Sequence, residues 1–138
     1  IEQQLASCTQ TELKAYVERL RVTEAANMRC ADCDSPRTVF ASGSLGVFLC
    51  LRCSTLHRSL PCHVTYVRNL ITDHWEAKHV ARMQEVGNAA GETLYLAQVP
   101  LDRVRPTVKS PLRELERWIR DKYEYECFMR PEFRRELT

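Results

Sequence analysis

The residues of this chain whose types and spacing could do chemistry lie between Cys30 and Arg58. Cys30-Ala31-Asp32-Cys33 is followed by sixteen residues, then Cys50-Leu51-Arg52-Cys53, then four more residues and Arg58. A Cys-x-x-Cys knuckle places two sulfurs on one side of a metal, and a sixteen-residue loop is long enough to bring the second pair around. Cys30, Cys33, Cys50 and Cys53 are therefore candidate ligands of one zinc ion. Four thiolates close the coordination sphere and leave no position for an activated water, so such a zinc contributes folding energy and position, not catalysis. It would fix the backbone on which Arg58 stands, and hence the place and direction of that side chain. An arginine after a knuckle is by itself no more than a solvated side chain; the sequence around it has to decide.

Other reactive residue types have plainer readings. His57 and His63 are not needed as ligands and are expected to hydrogen-bond locally. Cys62 reads as a small, partly buried residue, and Trp75 and Trp118 sit at helical spacing with apolar neighbours, as core residues do.

The elements that must position this segment can be read from period and punctuation. Leu13, Tyr16, Val17 and Leu20 make one apolar face of a helix over 11–26, with Thr9 and Glu12 as a capping box. The runs Val39–Ala41 and Val47–Cys50, with Gly43 and Gly46 between them, predict a small hairpin. Residues 54–60 predict a short helix carrying Arg58, and His63–Leu70 alternates as a third strand. Thr72 or Asp73 is an N-cap for a helix over 74–86 ended by Gly87, and Asn88 caps the next, to about Ala97. Pro100, Pro106 and Pro111 mark 99–111 as an extended connection over the surface. Ser110-Pro111 then opens a last helix to about Tyr123 that turns Leu112, Leu115, Trp118, Ile119 and Tyr123 to a core. The fold class that follows is α+β: a small four-cysteine zinc-finger module with a short sheet wrapped by about five helices. The domain is placed at 11–129, with 1–10 and 130–138 as flanks.

Composition supports one folded domain. The chain has 138 residues, 44% of them hydrophobic, and only ten are Gly or Pro, so disorder over most of its length is excluded. Twenty basic against eighteen acidic residues give a net charge of +2, too little for a strong polyanion binder. Of seven cysteines, four form the knuckles; the odd number and the pairing point to a reducing compartment rather than a disulfide scaffold. No apolar run has the length of a membrane span. A chain starting at Ile1 suggests a piece of a longer protein.

The segment from Cys30 to Arg68, with Ala41-Ser42, Leu45-Gly46-Val47-Phe48-Leu49, Ser54-Thr55-Leu56-His57-Arg58-Ser59-Leu60 and Val67-Arg68, resembles the Arf GTPase-activating protein domain, whose Cys-x2-Cys-x16-Cys-x2-Cys-x4-Arg pattern is met without a gap. Likeness continues through Asp73-x-Trp75-Glu76, Met83-Gln84-Glu85-Val86-Gly87-Asn88, Leu94-Tyr95 and Trp118-Ile119-Arg120-Asp121-Lys122-Tyr123. It covers about 11–129, and the last stretches look most like the small stromal-membrane-associated subgroup. The resemblance implies a three-stranded sheet flanked by helices, a structural zinc, and Arg58 as an arginine finger acting on a GTP-bound Arf-family small GTPase. The chain is then not itself an enzyme but completes its partner's active site. Phe40, Arg68 and Asn88 are implied to shape the arginine loop or the GTPase-facing surface. The setting implied is vesicle traffic: a cytoplasmic monomer, recruited to Golgi, endosomal or plasma membranes through the GTPase or flanking regions, without nucleic acid.

Five positions depart from the family pattern. Phe40 stands for a usual Trp, Ser44 for a frequent Asn, Pro61-Cys62 for Gly-Val, and Asn69 for a Ser, the last expected to matter little. Two other classes stay open. A domain that binds a GTPase or scaffold without stimulating hydrolysis would share these motifs. A GATA-like nucleic-acid finger shares the cysteine spacing, but residues 30–53 balance to zero charge and 54–80 to only +1, against the several phosphates such a finger neutralises. A RING-like module needs eight ligands in two sites.

Overall fold

The computed structural model describes residues 1–135. Its centre is a three-stranded antiparallel sheet, β1 (Phe40–Ser42), β2 (Val47–Leu49) and β3 (Val67–Asn69), in the order β2-β1-β3. Phe40 pairs with both Leu49 and Asn69, and Ser42 with both Val47 and Val67. The β1–β2 turn depends on Gly46, whose φ of +79° lies in the region that favours glycine. A Cβ there would also stand 2.7 Å from Val86 Cβ and 2.9 Å from the Arg82 carbonyl oxygen.

Strand alternation sends β2 to two cores. Val47 and Leu49 join the four cysteines, Leu115, Trp118, Ile119, Tyr123 and Phe128. Phe48 and Ala41 join Leu5, Leu13, Val17, Trp75, Val80 and Met83. The second core is built from α1 (Glu2–Leu5), α2 (Gln10–Thr23) and α4 (Ala77–Glu85). The capping box on Thr9 and Glu12 is present in both directions. Residues 1–10, read from sequence as a flank, supply α1 and the buried Leu5. The last three residues of the 130–138 flank lie outside the described residues.

Several boundaries differ from the sequence reading, each for a local reason. Helix α3 is Leu51–His57, earlier than expected, because the Cys50 thiol acts as N-cap and accepts from Cys53 N–H; Arg58 becomes its C-cap residue. The third strand is shorter because the Pro61 carbonyl takes the amides of Val64 and Thr65 into a turn. Helix α4 starts at Ala77, not 74. The Asp73 carboxylate is spent on Asn69 N–H, and Gln10 brackets Trp75 through its N–H and carbonyl. Asn69 is no neutral replacement, since its side chain also accepts the amides of Ile71 and Thr72. Helix α5 runs Gly87–Tyr95, with Asn88 inside its first turn instead of at its cap.

Residues 96–111 form a strap held by Arg52, which donates to the carbonyls of Ser110 and Thr107. Helix α6 (Leu112–Ile119) has Pro111 at its N-cap; Ser110 instead takes Thr107 N–H. Leu112 is exposed, against expectation, while Leu115, Trp118, Ile119 and Tyr123 are buried. The helix continues into a π turn, Arg120–Glu124.

Candidate metal centre and arginine site

The two knuckles meet. The four Sγ atoms of Cys30, Cys33, Cys50 and Cys53 lie within 4.8 Å of one another, all in buried residues, and Cys33 Sγ is 3.5 Å from Cys50 Sγ. A tetrahedron with Zn–S of about 2.3 Å requires sulfur separations of about 3.8 Å, so the donor set fits one zinc. Backbone amides already point at the sulfurs: Asp32 N–H reaches Cys30 Sγ at 3.5 Å and Cys53 N–H reaches Cys50 Sγ at 3.4 Å. Packed this closely, the thiols oppose one another's ionisation. The neighbouring Cys33 pushes the Cys30 thiol up and Cys30 pushes Cys53 up, while the proximity of Cys30 pulls Cys33 and Cys50 down. A divalent cation removes that conflict by taking all four as thiolates. The cluster is a site for a single structural zinc, and its closed donor set gives it no hydrolytic role.

The first knuckle also carries Asp32, a fully buried carboxylate with three partners. Its Oδ1 accepts from Lys122 Nζ at 2.9 Å and Tyr123 OH at 2.7 Å, and its Oδ2 accepts from His57 Nε2 at 2.7 Å. Lys122 Nζ also donates to the Ala31 carbonyl at 2.9 Å. The His57 ring is 0% exposed; its Nδ1 meets Thr65 Oγ1 at 2.9 Å, and Thr65 donates onward to Ser42 Oγ at 2.8 Å. Burial by itself would raise the Asp32 carboxyl. The Lys122 ammonium and the His57 and Tyr123 hydrogen bonds outweigh burial and hold it below the usual carboxylate range. Burial, then the Asp32 charge and hydrogen bond, push the Tyr123 phenol well up.

Arg58 caps α3, its N–H donating to the Ser54 carbonyl at 3.1 Å. Its side chain is exposed and has no carboxylate partner among the described residues. Arg68, on the edge strand β3, lies with its guanidinium 3.9 Å over the Tyr66 ring, and Tyr66 stacks on His79 at 4.5 Å. Arg68 Nε and His79 Nδ1 are buried without a partner among the described residues. Phe40 is half-buried against the zinc-side core. Asn88 is buried: its Oδ1 accepts from Phe48 N–H at 2.7 Å and its Nδ2 donates to the carbonyls of Arg29 and Ala26. It ties α5 to β2 and to the approach to the first knuckle. Cys62 is exposed, not partly buried.

A family profile described as "ArfGap: Putative GTPase activating protein for Arf" matches residues 14–132. The chain belongs to the ArfGap family. Among its ArfGap relatives, ADP-ribosylation factor GTPase-activating protein AGD12 of Arabidopsis thaliana is 37% identical over 114 residues, 82% of this chain and 34% of that protein. Stromal membrane-associated protein 1 of Homo sapiens is 39% identical over 101 residues, 73% of this chain and 21% of that protein. The chain thus spans about a third or less of the length of these relatives. The solved ArfGap domain of HIV-1 Rev binding protein superposes with a TM-score of 0.74, covering 88% of this chain and 90% of that one at 17% identity, a likeness of fold alone.

The residues that sequence reasoning missed are Asp32, His57, Thr65, Lys122 and Tyr123. They are spread over 91 positions, Asp32 to Tyr123. The only hint was the occurrence of a carboxylate inside one knuckle and a histidine beside the arginine.

Proposed function

We propose that this domain speeds GTP hydrolysis by a GTP-bound Arf-family small GTPase, with Arg58 inserted in trans against the phosphates. One observation carries the reading: in a domain of the ArfGap family, an exposed arginine without a carboxylate partner among the described residues caps the helix that begins at the second zinc knuckle. GTP hydrolysis builds negative charge on the phosphoryl oxygens and the leaving group. A guanidinium brought in by a partner neutralises that charge and excludes water, and in other GTPase systems contributes on the order of 10³–10⁵ in rate. The magnesium ion and the water-orienting residue belong to the GTPase. This chain supplies the arginine, the surface around it and the rigid frame. The edge strand β3, where Arg68 stacks on Tyr66 next to His79, is the GTPase-facing surface in this reading, and Phe40 lies on its neighbouring strand. Asn88 acts behind that surface, through the knuckle and β2. The domain works as a monomer in the termination of Arf signalling during vesicle traffic, recruited to cytoplasmic membrane faces by the GTPase or by regions outside this sequence.

Single-turnover hydrolysis by Arf loaded with GTP tests this, comparing the parent, Arg58→Lys and buffer. The parent is expected to stimulate by at least about 10³. Arg58→Lys should lose most of that while keeping one zinc per chain, because an ammonium lacks the planar fork. Absence of stimulation across several Arf isoforms would overturn the reading.

A further inference from the structure

We propose that His57 is a positioning residue for Arg58, and that Asp32, Thr65 and the adjacent pair Lys122-Tyr123 form the device that holds it. This rests on Arg58 being the inserted arginine. Helix α3 has only seven residues. The end of so short a helix has few hydrogen bonds of its own to resist fraying. Zinc fixes its start, through Cys50 and Cys53, but Arg58 stands at the other end. There the residue immediately before it is fully buried and bonded through both ring nitrogens, to Asp32 in the first knuckle and to Thr65 ahead of β3. Two bonds at opposite edges of one planar ring fix its position and its rotation. The backbone that leads into Arg58 is thereby tied to the first knuckle on one side and to the sheet on the other.

Asp32 is held in turn from the C-terminal segment. Neighbouring side chains on an α-helix diverge by about 100° and do not face one target. The π turn at Arg120–Glu124 widens the coil where Lys122 and Tyr123 reach the same Asp32 oxygen. A buried network serving stability alone is replaceable by apolar packing at little cost. What apolar packing does not supply is direction, and direction is what an inserted guanidinium requires. A displacement of about 1 Å at such a group costs on the order of 10²-fold in rate.

Thr65 offers a test away from the metal ligands. Thr65→Val is nearly isosteric and deletes the hydroxyl facing His57; Thr65→Ser keeps it. Expected for Thr65→Val is a drop of about ten- to a hundredfold in the saturating single-turnover rate, with the half-saturating concentration of the domain within about twofold of the parent. Zinc should stay at one per chain, and Thr65→Ser should recover the rate. In an Arg58→Lys background Thr65→Val should change nothing further, since it acts through Arg58. Amide exchange gives a readout without GTPase: the Arg58 N–H should exchange faster in Thr65→Val, with that of Ser54 unchanged. His57→Gln, measured in the same way, should repeat the pattern. If Arg58→Lys is as active as the parent, the arginine reading itself fails. If Arg58→Lys is impaired but Thr65→Val and His57→Gln keep the parental rate, or slow both backgrounds equally, the positioning role is overturned. Unchanged Arg58 exchange in both variants would overturn it as well.

Discussion

At the scale of single residues, the buried carboxylate of Asp32 organises more of this domain than any surface charge. Tyr123 shows it most cleanly. Its phenol keeps its proton to higher pH in the folded protein than in the unfolded chain, because of burial and the Asp32 charge. An acid whose folded value is raised contributes stability that is complete below its ordinary pKa, about 10 for tyrosine, and is lost as pH rises toward the folded value. Tyr123→Phe is therefore expected to be about 1.5–3 kcal/mol less stable at neutral pH, from loss of a hydrogen bond to a charged group. Its stability should also fall less steeply above about pH 10. Tyr95, also raised by burial, is present in both proteins, so the difference between their urea midpoints across pH isolates Tyr123. Metal release does not obscure this limb, since alkaline pH favours thiolate ligands. The four-cysteine cluster was legible in the sequence because a spacing rule joins its members. The network around Asp32 was not, because no local rule connects position 32 with its partners at 57, 122 and 123, or His57 with Thr65.

At the scale of elements, punctuation residues were readable by type and less so by role. Thr9 and Glu12 cap α2 as the pattern implied, since a capping box is decided within four residues. Asn88 has the right chemistry for a cap, but the helix begins one residue earlier and its amide is drawn to Phe48, Ala26 and Arg29. Glycines divide in the same way. Gly46 and Gly87 both have positive φ, +79° and +76°. At Gly87 an added Cβ would meet only the Asn27 amide, at 3.4 Å, whereas at Gly46 it would collide with Val86 and the Arg82 carbonyl. Gly87→Ala should then cost about 1–2 kcal/mol, the left-handed backbone penalty alone. Gly46→Ala should cost about 2–5 kcal/mol, adding overpacking against backbone that cannot move aside. Chemical denaturation of the two variants checks the order; equal losses would show that the β1–β2 turn can shift off α4.

At the scale of the whole molecule, one small sheet separates two cores, and only one of them holds the metal. Trp118 belongs to the core that contains the cysteines, and Trp75 to the core under α1, α2 and α4. The cores share β2, which gives Val47 and Leu49 to one side and Phe48 to the other. Three strands of three residues are too short to persist without packing on both faces. Zinc anchors β2 from its end, since Cys50 follows Leu49 directly, and it anchors Ala31, whose N–H donates to the Phe48 carbonyl. Removing the metal therefore releases the sheet that both cores lie against, and the domain should lose structure as one unit. Trp75→Phe and Trp118→Phe each leave one fluorescent reporter, one per core. Titrated with a chelator, the two variants are expected to lose native emission at the same free zinc concentration once their small stability difference is matched with urea. A Trp75 signal that stayed native while Trp118 was lost would mean that the α1–α2–α4 core stands alone. The metal would then support only the arginine-bearing side.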